Sequence, residues 1–216
     1  MSIETKNLEA ALKELREKSK KRNFNQSIEL IINLQDVDMK KPEGRIQEKI
    51  ELPYPLGKKV NVCVFANGDM ALRARRSGAD LVLESAEIEG LMNDKKRQRQ
   101  IAKNMDSFIS AAPLMPLVGR VFGAILGPRG KMPTPIAPTA NIEEEIERHR
   151  RTILVRARGQ PVLHCRDGTE NMPDKEIIEN IQAVINRIRG RLKRGTRNIE
   201  SIYIKATMGP PVKVNM

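Results

Sequence analysis

The sequence predicts an α/β protein of two domains: an α+β domain built from both chain ends and a second α/β domain inserted into it. Three observations carry that prediction. Strand segments near either end alternate apolar and polar residues, as at Ile28, Leu30, Ile32 and Leu34 and again from Ile199 to Thr207, which is the pattern of a sheet with one buried face. Segments in the middle, Val60 to Phe65, Leu81 to Leu83 and Ser107 to Ile109, are almost continuously apolar and alternate with helical spacing, the pattern of a parallel sheet covered on both faces. Between the two styles lies Leu52-Pro53-Tyr54-Pro55-Leu56-Gly57, where two prolines and a glycine interrupt regular pairing. The expected boundaries are 1–59 with 153–216 for the discontinuous domain and 60–152 for the insert.

Taken in order, Leu8, Ala11, Leu12 and Leu15 recur at helical spacing, and the cations Lys18, Lys20, Lys21 and Arg22 follow at the end that the helix dipole favours. A turn around Pro42 and Gly44 separates the first strand from a second that carries Ile46, Ile50 and Leu52. Asn67-Gly68-Asp69 leads into a short helix through Met70, Ala71 and Ala74, and another helix surrounds Ile88, Leu91 and Met92. The clearest helix starts at Pro113, holds Leu114, Leu117, Val118, Val121, Phe122, Ile125 and Leu126 on one face, and is expected to stop at Gly127. A proline-rich basic loop with Arg129 and Lys131 follows. From Asn141 a helix places Glu143, Glu144 and Glu145 in its first turn and arginines at its end. A hairpin is expected about Arg158-Gly159-Gln160-Pro161, and after Pro173 a helix presents Ile177, Ile178, Ile181, Val184, Ile185 and Ile188 to the core.

Charge narrows the function. Thirty-nine Lys and Arg against 27 Asp and Glu give the 216-residue chain a net charge of +12, which fits a polyanionic partner. Aromatic residues are 3% of the chain and Trp is absent, so stacking of several bases on a sheet is not expected, and recognition should rest on phosphates, sugar hydroxyls and shape. The N-terminal segment carries acids where a secretory signal needs an apolar core, and no apolar stretch approaches the roughly 20 residues of a membrane span, so a cytoplasmic protein with no membrane partner is expected. Cys63 and Cys165 form no disulfide framework or zinc spacing and are expected reduced and buried.

Individual motifs argue against an enzyme. Gly130-Lys131 lacks the earlier glycine and the following hydroxyl of a phosphate loop. His164 and Cys165 are strand neighbours that point to opposite faces, so they build no metal or nucleophile site, and no carboxylate pair stands out as a general acid or base. No catalytic residue, cofactor or metal is expected. Basic clusters at 95–99 and 187–197 favour phosphate contact, although a charge run is usually a solvated face. On the last strand Ile202, Ile204 and Ala206 face the core, which leaves Ser201, Tyr203, Lys205 and Thr207 on a polar face ending in Met208-Gly209-Pro210-Pro211.

Three segments, Lys-Arg-Asn-Phe24-Asn-Gln-Ser27-Ile-Glu29-Leu, Leu126-Gly-Pro-Arg-Gly-Lys-Met-Pro133 and Ala206-Thr-Met-Gly-Pro210, resemble in order the large-subunit ribosomal protein L-one family, and the Gly-Lys-Met-Pro form is most similar to archaeal members. The resemblance implies a Rossmann-like three-layer insert joined to the terminal domain by a double hinge. It implies binding to large-subunit (23S) rRNA in a mobile stalk near the exit site and help with release of deacylated tRNA. It also implies repression of translation through the protein's own mRNA, and a free protein that is monomeric. Carried over by position, the RNA-contact residues are Phe24, Ser27 and Glu29 on the first strand and Thr207, Met208 and Gly209 after the last. Lys205, His164, Arg166 and Arg22 join them by face and charge. The hydroxyls suit ribose 2′-OH groups, and Gly209 is expected to admit RNA closely. The rival readings are a nucleotide-binding enzyme built on the inserted domain and a nonspecific DNA-binding protein.

Overall fold

Local chemistry sets the helices first. In the computed structural model, which describes residues 5–39, 44, 46–157 and 159–215, the first helix, α1 (Thr5–Lys18), buries Leu8, Ala11, Leu12 and Leu15 in one stripe. The turn expected at Pro42 lies outside the described residues, as does Arg158. Strands β1 (Ser27–Leu34) and β2 (Gln47–Glu51) follow, then β3 (Val62–Phe65), α2 (Gly68–Arg76), β4 (Leu81–Leu83), α3 (Ser85–Gly90) and α4 (Lys95–Asn104). Next come β5 (Ser107–Ala111), α5 (Met115–Arg129), β6 (Thr134–Ile136), α6 (Ile142–Arg151), β7 (Thr152–Arg156) and β8 (Val162–Thr169). The chain ends in α7 (Asp174–Arg191), β9 (Ile199–Ala206) and β10 (Pro211–Val214). The fold is of the mixed α/β class that the two hydrophobic periods predict.

The chain divides into two compact units, residues up to Lys58 together with those from Arg151 onward, and Lys59–Arg150. In the first unit a four-stranded antiparallel sheet runs in the order β10-β9-β1-β8. Its inner face, with Ile28, Leu30, Ile32, Leu163, Ile202, Ile204 and Val212, meets the apolar stripes of α1 and α7, and all six isoleucine and valine positions expected to face the core from α7 are buried. A separate two-stranded sheet pairs β2 with β7. The hairpin expected around Gly159 therefore does not form: β7 joins β2 while β8 crosses to β1, because alternation identifies a strand but not its partner. Prolines hid β10 as well. Pro211 is the first residue of an edge strand, where a missing N–H costs little.

In the second unit all pairings are parallel, in the order β4-β3-β5-β6. The order reverses direction after β4, so right-handed crossovers place α2 on one face and the α3–α4 and α5 connections on the other. Both faces of β3 are consequently buried, and Phe65 packs on Phe108 and Phe122 with ring centroids 6.0 and 5.4 Å away. Helix α5 runs past Gly127 and Pro128 and is capped by Gly130, whose φ of 70° is the left-handed conformation glycine tolerates. A proline in the last turn removes one helical bond near a frayed end, which is why the expected stop at Gly127 moved three residues on. The proline loop beyond it contains the short strand β6. Cys63 and Cys165 are buried, free thiols.

Candidate nucleic-acid interface

The outer face of the terminal-unit sheet is polar because the strand period leaves alternate residues there. Ser27, Glu29, Ile31 and Asn33 of β1 are half-buried, as are Tyr203 and Lys205 of β9, while His164 and Arg166 of β8 are exposed. Register aligns them across strands: Glu29 lies between Lys205 and Arg166, and Ile31 lies between Tyr203 and His164. One carboxylate flanked by two cations on adjacent strands is a favourable cross-strand arrangement that leaves a net positive row. Arg22 is exposed in the segment between α1 and β1.

At the end of this sheet the first and last parts of the chain meet. The Thr207 amide donates to the Ser27 carbonyl at 3.0 Å, the Ser27 amide donates to Thr207 Oγ1 at 3.1 Å, and that hydroxyl donates back to the Ser27 carbonyl at 3.2 Å. Thr207 thus extends the ladder by one pair with its own side chain. Its only proton is committed, and one acceptor lone pair is left open. The Ser27 hydroxyl has no partner among the described residues and keeps its full hydrogen-bonding capacity. Phe24 is 51% exposed and Met208 60%, unusual for apolar side chains of that size beside a polar face. Phe24 sits in a bend ahead of β1 and not on the strand as expected, since the ladder begins only at Ser27.

Gly209 also meets an internal constraint. A Cβ there would come within 3.2 Å of both the Ala206 Cβ and Ser19 Oγ, so the close approach that needs glycine is to the end of α1. The residue that fixes this corner was not foreseen. Gln26 is 1% exposed; its amide nitrogen donates to Glu170 Oε2 at 3.1 Å and to the Lys20 carbonyl at 3.2 Å, and its amide oxygen accepts from the Met208 N–H at 3.2 Å. The Phe-Asn-Gln-Ser segment carries it in plain sight, but its partners are far away in sequence.

The basic clusters divide on inspection. Arg187 and Arg191 both pair with Glu48 at 3.1 Å, and Arg194 pairs with Asp36 at 3.0 Å, so these three members of the 187–197 cluster brace the terminal unit. Lys131 points its ammonium at the carbonyls of Ala102 and Met105, 3.2 and 2.6 Å away, and burial lowers its pKa. It satisfies the C-terminal end of α4 and does not face outward. Arg129 is exposed and Lys95, Lys96, Arg97 and Arg99 line the outer side of α4.

The crevice where a nucleotide would lie in a sheet of this topology, beyond the ends of β3 and β5, is chemically unsuited to a phosphate. Pro113 and Pro116 remove N–H donors at the start of the helix after β5, and Asn67 and Ser85 hydrogen-bond one another, with Asn67 Oδ1 accepting from the Ser85 N–H at 2.9 Å. His149 is turned inward against Ser107 Oγ, 2.6 Å from Nδ1.

Comparison with known proteins gives the family. Residues 12–210 match the model of the Ribosomal protein L1p/L10e family. Among relatives, the large ribosomal subunit protein uL1 of Hyperthermus butylicus is 46% identical, covering 97% of this chain and 96% of its own length. The proteins of the same name from Pyrococcus abyssi and Thermofilum pendens are 45% and 47% identical over 99% and 96% of this chain, and over 98% and 92% of their own. All three organisms are archaeal, the group that the Gly-Lys-Met-Pro segment resembled. These are ribosomal proteins, not enzymes, and with a match that spans both structural units the chain belongs to the Ribosomal protein L1p/L10e family.

Proposed function

We propose that the chain is a structural constituent of the large ribosomal subunit in the cytoplasm, and that it binds large-subunit rRNA through the outer face of the β10-β9-β1-β8 sheet. The single observation that carries this reading is the corner where the unpartnered Ser27 hydroxyl lies on the same ladder as Thr207, flanked by exposed Phe24 and Met208. Hydroxyls there bond ribose 2′-OH groups, and the two apolar side chains exclude water around those bonds. Glu29, Lys205, His164 and Arg166 extend the contact along the sheet, with Arg22 at its edge. No chemical step is involved. The relatives' name, large ribosomal subunit protein, supports the placement.

Within that role the protein holds an rRNA element in a mobile stalk near the exit site and assists deacylated tRNA in leaving. An mRNA that copies the same RNA shape competes for the same face, so the free, monomeric protein represses translation of its own message. The test is to crosslink RNA to the native protein in cells and sequence what is recovered. One large-subunit rRNA segment and one messenger segment of similar fold are expected. A spread of unrelated RNAs with neither enriched would overturn the reading.

A further inference from the structure

Residues 53–57 interrupt regular pairing, as two prolines and a glycine dictate, yet they belong to the terminal unit. Leu52 before them is still tied to a strand end, its N–H donating to the Arg151 carbonyl at 2.9 Å. Pro53 and Pro55 have no N–H, so Tyr54 carries the one backbone donor of the three. That N–H donates to Asn180 Oδ1 at 3.0 Å, and Asn180 Nδ2 donates to the Tyr54 carbonyl at 3.2 Å. A single side chain of α7 thus takes the place of a neighbouring strand. Asn180 is 0% exposed and its Nδ2 also donates to the Asp167 carbonyl at 2.9 Å, so it is itself firmly held. Glu179, the residue before it, hydrogen-bonds the Tyr54 hydroxyl.

Beyond Tyr54 the segment presses down through Leu56, which is buried, and Gly57, whose φ is 67°. A Cβ at Gly57 would come within 2.5 Å of Thr169 Oγ1 and 3.0 Å of Met172. The Thr169 hydroxyl under this cover is buried and has no hydrogen-bond partner among the described residues. A polar group deprived of water and of a partner is unfavourable, and lifting the cover would hydrate it. The segment is therefore held down by one amide and one leucine, and pushed up by the hydroxyl beneath it.

We infer that residues 53–57 form a strap, latched by Asn180, that opens as a local unit while the four-stranded sheet and α7 stay folded. Opening hydrates Thr169 Oγ1 and releases five residues into the chain that connects the two units. The latch thereby sets the length of that connection, whatever the protein binds.

The experiment is amide hydrogen exchange of the full chain, followed by NMR at increasing urea below the unfolding transition. The Tyr54 amide is expected to exchange at a rate that barely depends on urea, whereas the Leu30 and Ile181 amides exchange through global unfolding and depend on it steeply. Gly57→Ala lifts the strap from its own side and leaves α7 untouched, and it is expected to speed Tyr54 exchange by about 10- to 100-fold with Leu30 and Ile181 unchanged. Asn180→Ala is expected to speed Tyr54 exchange by at least as much, beyond any change at Leu30 and Ile181. Thr169→Val keeps the shape and removes the unpartnered hydroxyl, so it is expected to slow Tyr54 exchange by about 5- to 10-fold. Exchange of Tyr54 only in step with Leu30 and Ile181 would overturn the proposal, as would a Thr169→Val variant that leaves the Tyr54 rate unchanged or raises it. Should Gly57→Ala fail to fold, the shape-conserving Thr169→Val decides by itself.

Discussion

Gln26 and Glu170, separated by 144 residues, hold each other by three hydrogen bonds: the Gln26 N–H and side-chain amide donate to the two carboxylate oxygens of Glu170 at 3.1 Å each, and the Glu170 N–H donates to the Gln26 carbonyl at 2.9 Å. Gln26 also receives the Met208 N–H, so this one side chain joins the end of α1, the start of β1, the turn after β8 and the turn after β9. Gln26→Ala strands buried partners and is expected to cost about 2–3 kcal/mol in urea denaturation. It should also weaken rRNA binding by more than that loss of stability explains, because the Met208 turn is released. Unchanged affinity at a temperature where the variant is fully folded would separate the joint from the binding face.

Ser27 and Thr207 should separate binding from stability. Ser27→Ala removes a hydroxyl with no internal partner, so unfolding should shift by less than about 0.5 kcal/mol while rRNA affinity in a filter-binding titration falls by about 1–3 kcal/mol. Thr207→Ala loses two internal hydrogen bonds as well, and both quantities should fall. A Ser27 variant that binds normally would remove Ser27 from the contact.

Asp167 is expected to make the terminal unit sensitive to pH. It is fully buried, its Oδ1 lacks a hydrogen-bond partner among the described residues, and burial raises its pKa from 3.8 to about 7. Between those values the unfolded chain has lost the proton that the folded chain retains, so stability falls as pH rises from about 4 to about 7 and levels off above. The full swing is on the order of 4 kcal/mol. Asp167→Asn should flatten this slope in denaturation midpoints measured at pH 5 and pH 8; a variant with the wild-type slope would exonerate the group.

Lys131 belongs to the architecture of the inserted unit. Lys131→Met removes the donor that satisfies the carbonyls of Ala102 and Met105, and the loss should be about 1–3 kcal/mol of stability. The salt dependence of RNA binding should be unaltered. A lower salt slope with undiminished stability would place the ammonium on RNA instead.

The particular residues show how far the sequence could be read. Alternation at Ile28, Leu30 and Ile32 and the isoleucine stripe of α7 announce their buried faces, because strand and helix periods are local properties. Partner choice is not local, so the pattern that predicts a hairpin about Gly159 does not show that β7 pairs with β2, and prolines mask β6 and β10. Most of the candidate face was legible through motif and parity. Gln26 was not, since its significance lies in Glu170 and Met208, nor were the inward turn of Lys131 to the Ala102 and Met105 carbonyls and the closeness of Gly209 to the Ala206 and Ser19 side chains.

The bond between the Ser27 N–H and Thr207 Oγ1 spans 180 residues. A chain still being synthesised has Phe24 and Ser27 early but cannot close the corner until Thr207, Met208 and Gly209 have emerged. An unfinished copy therefore carries surplus positive charge without the completed corner. On the proposed reading, recognition would be reserved for finished molecules, and a message repressed through this corner would be silenced by completed protein and not by the chains its own ribosomes are still extending.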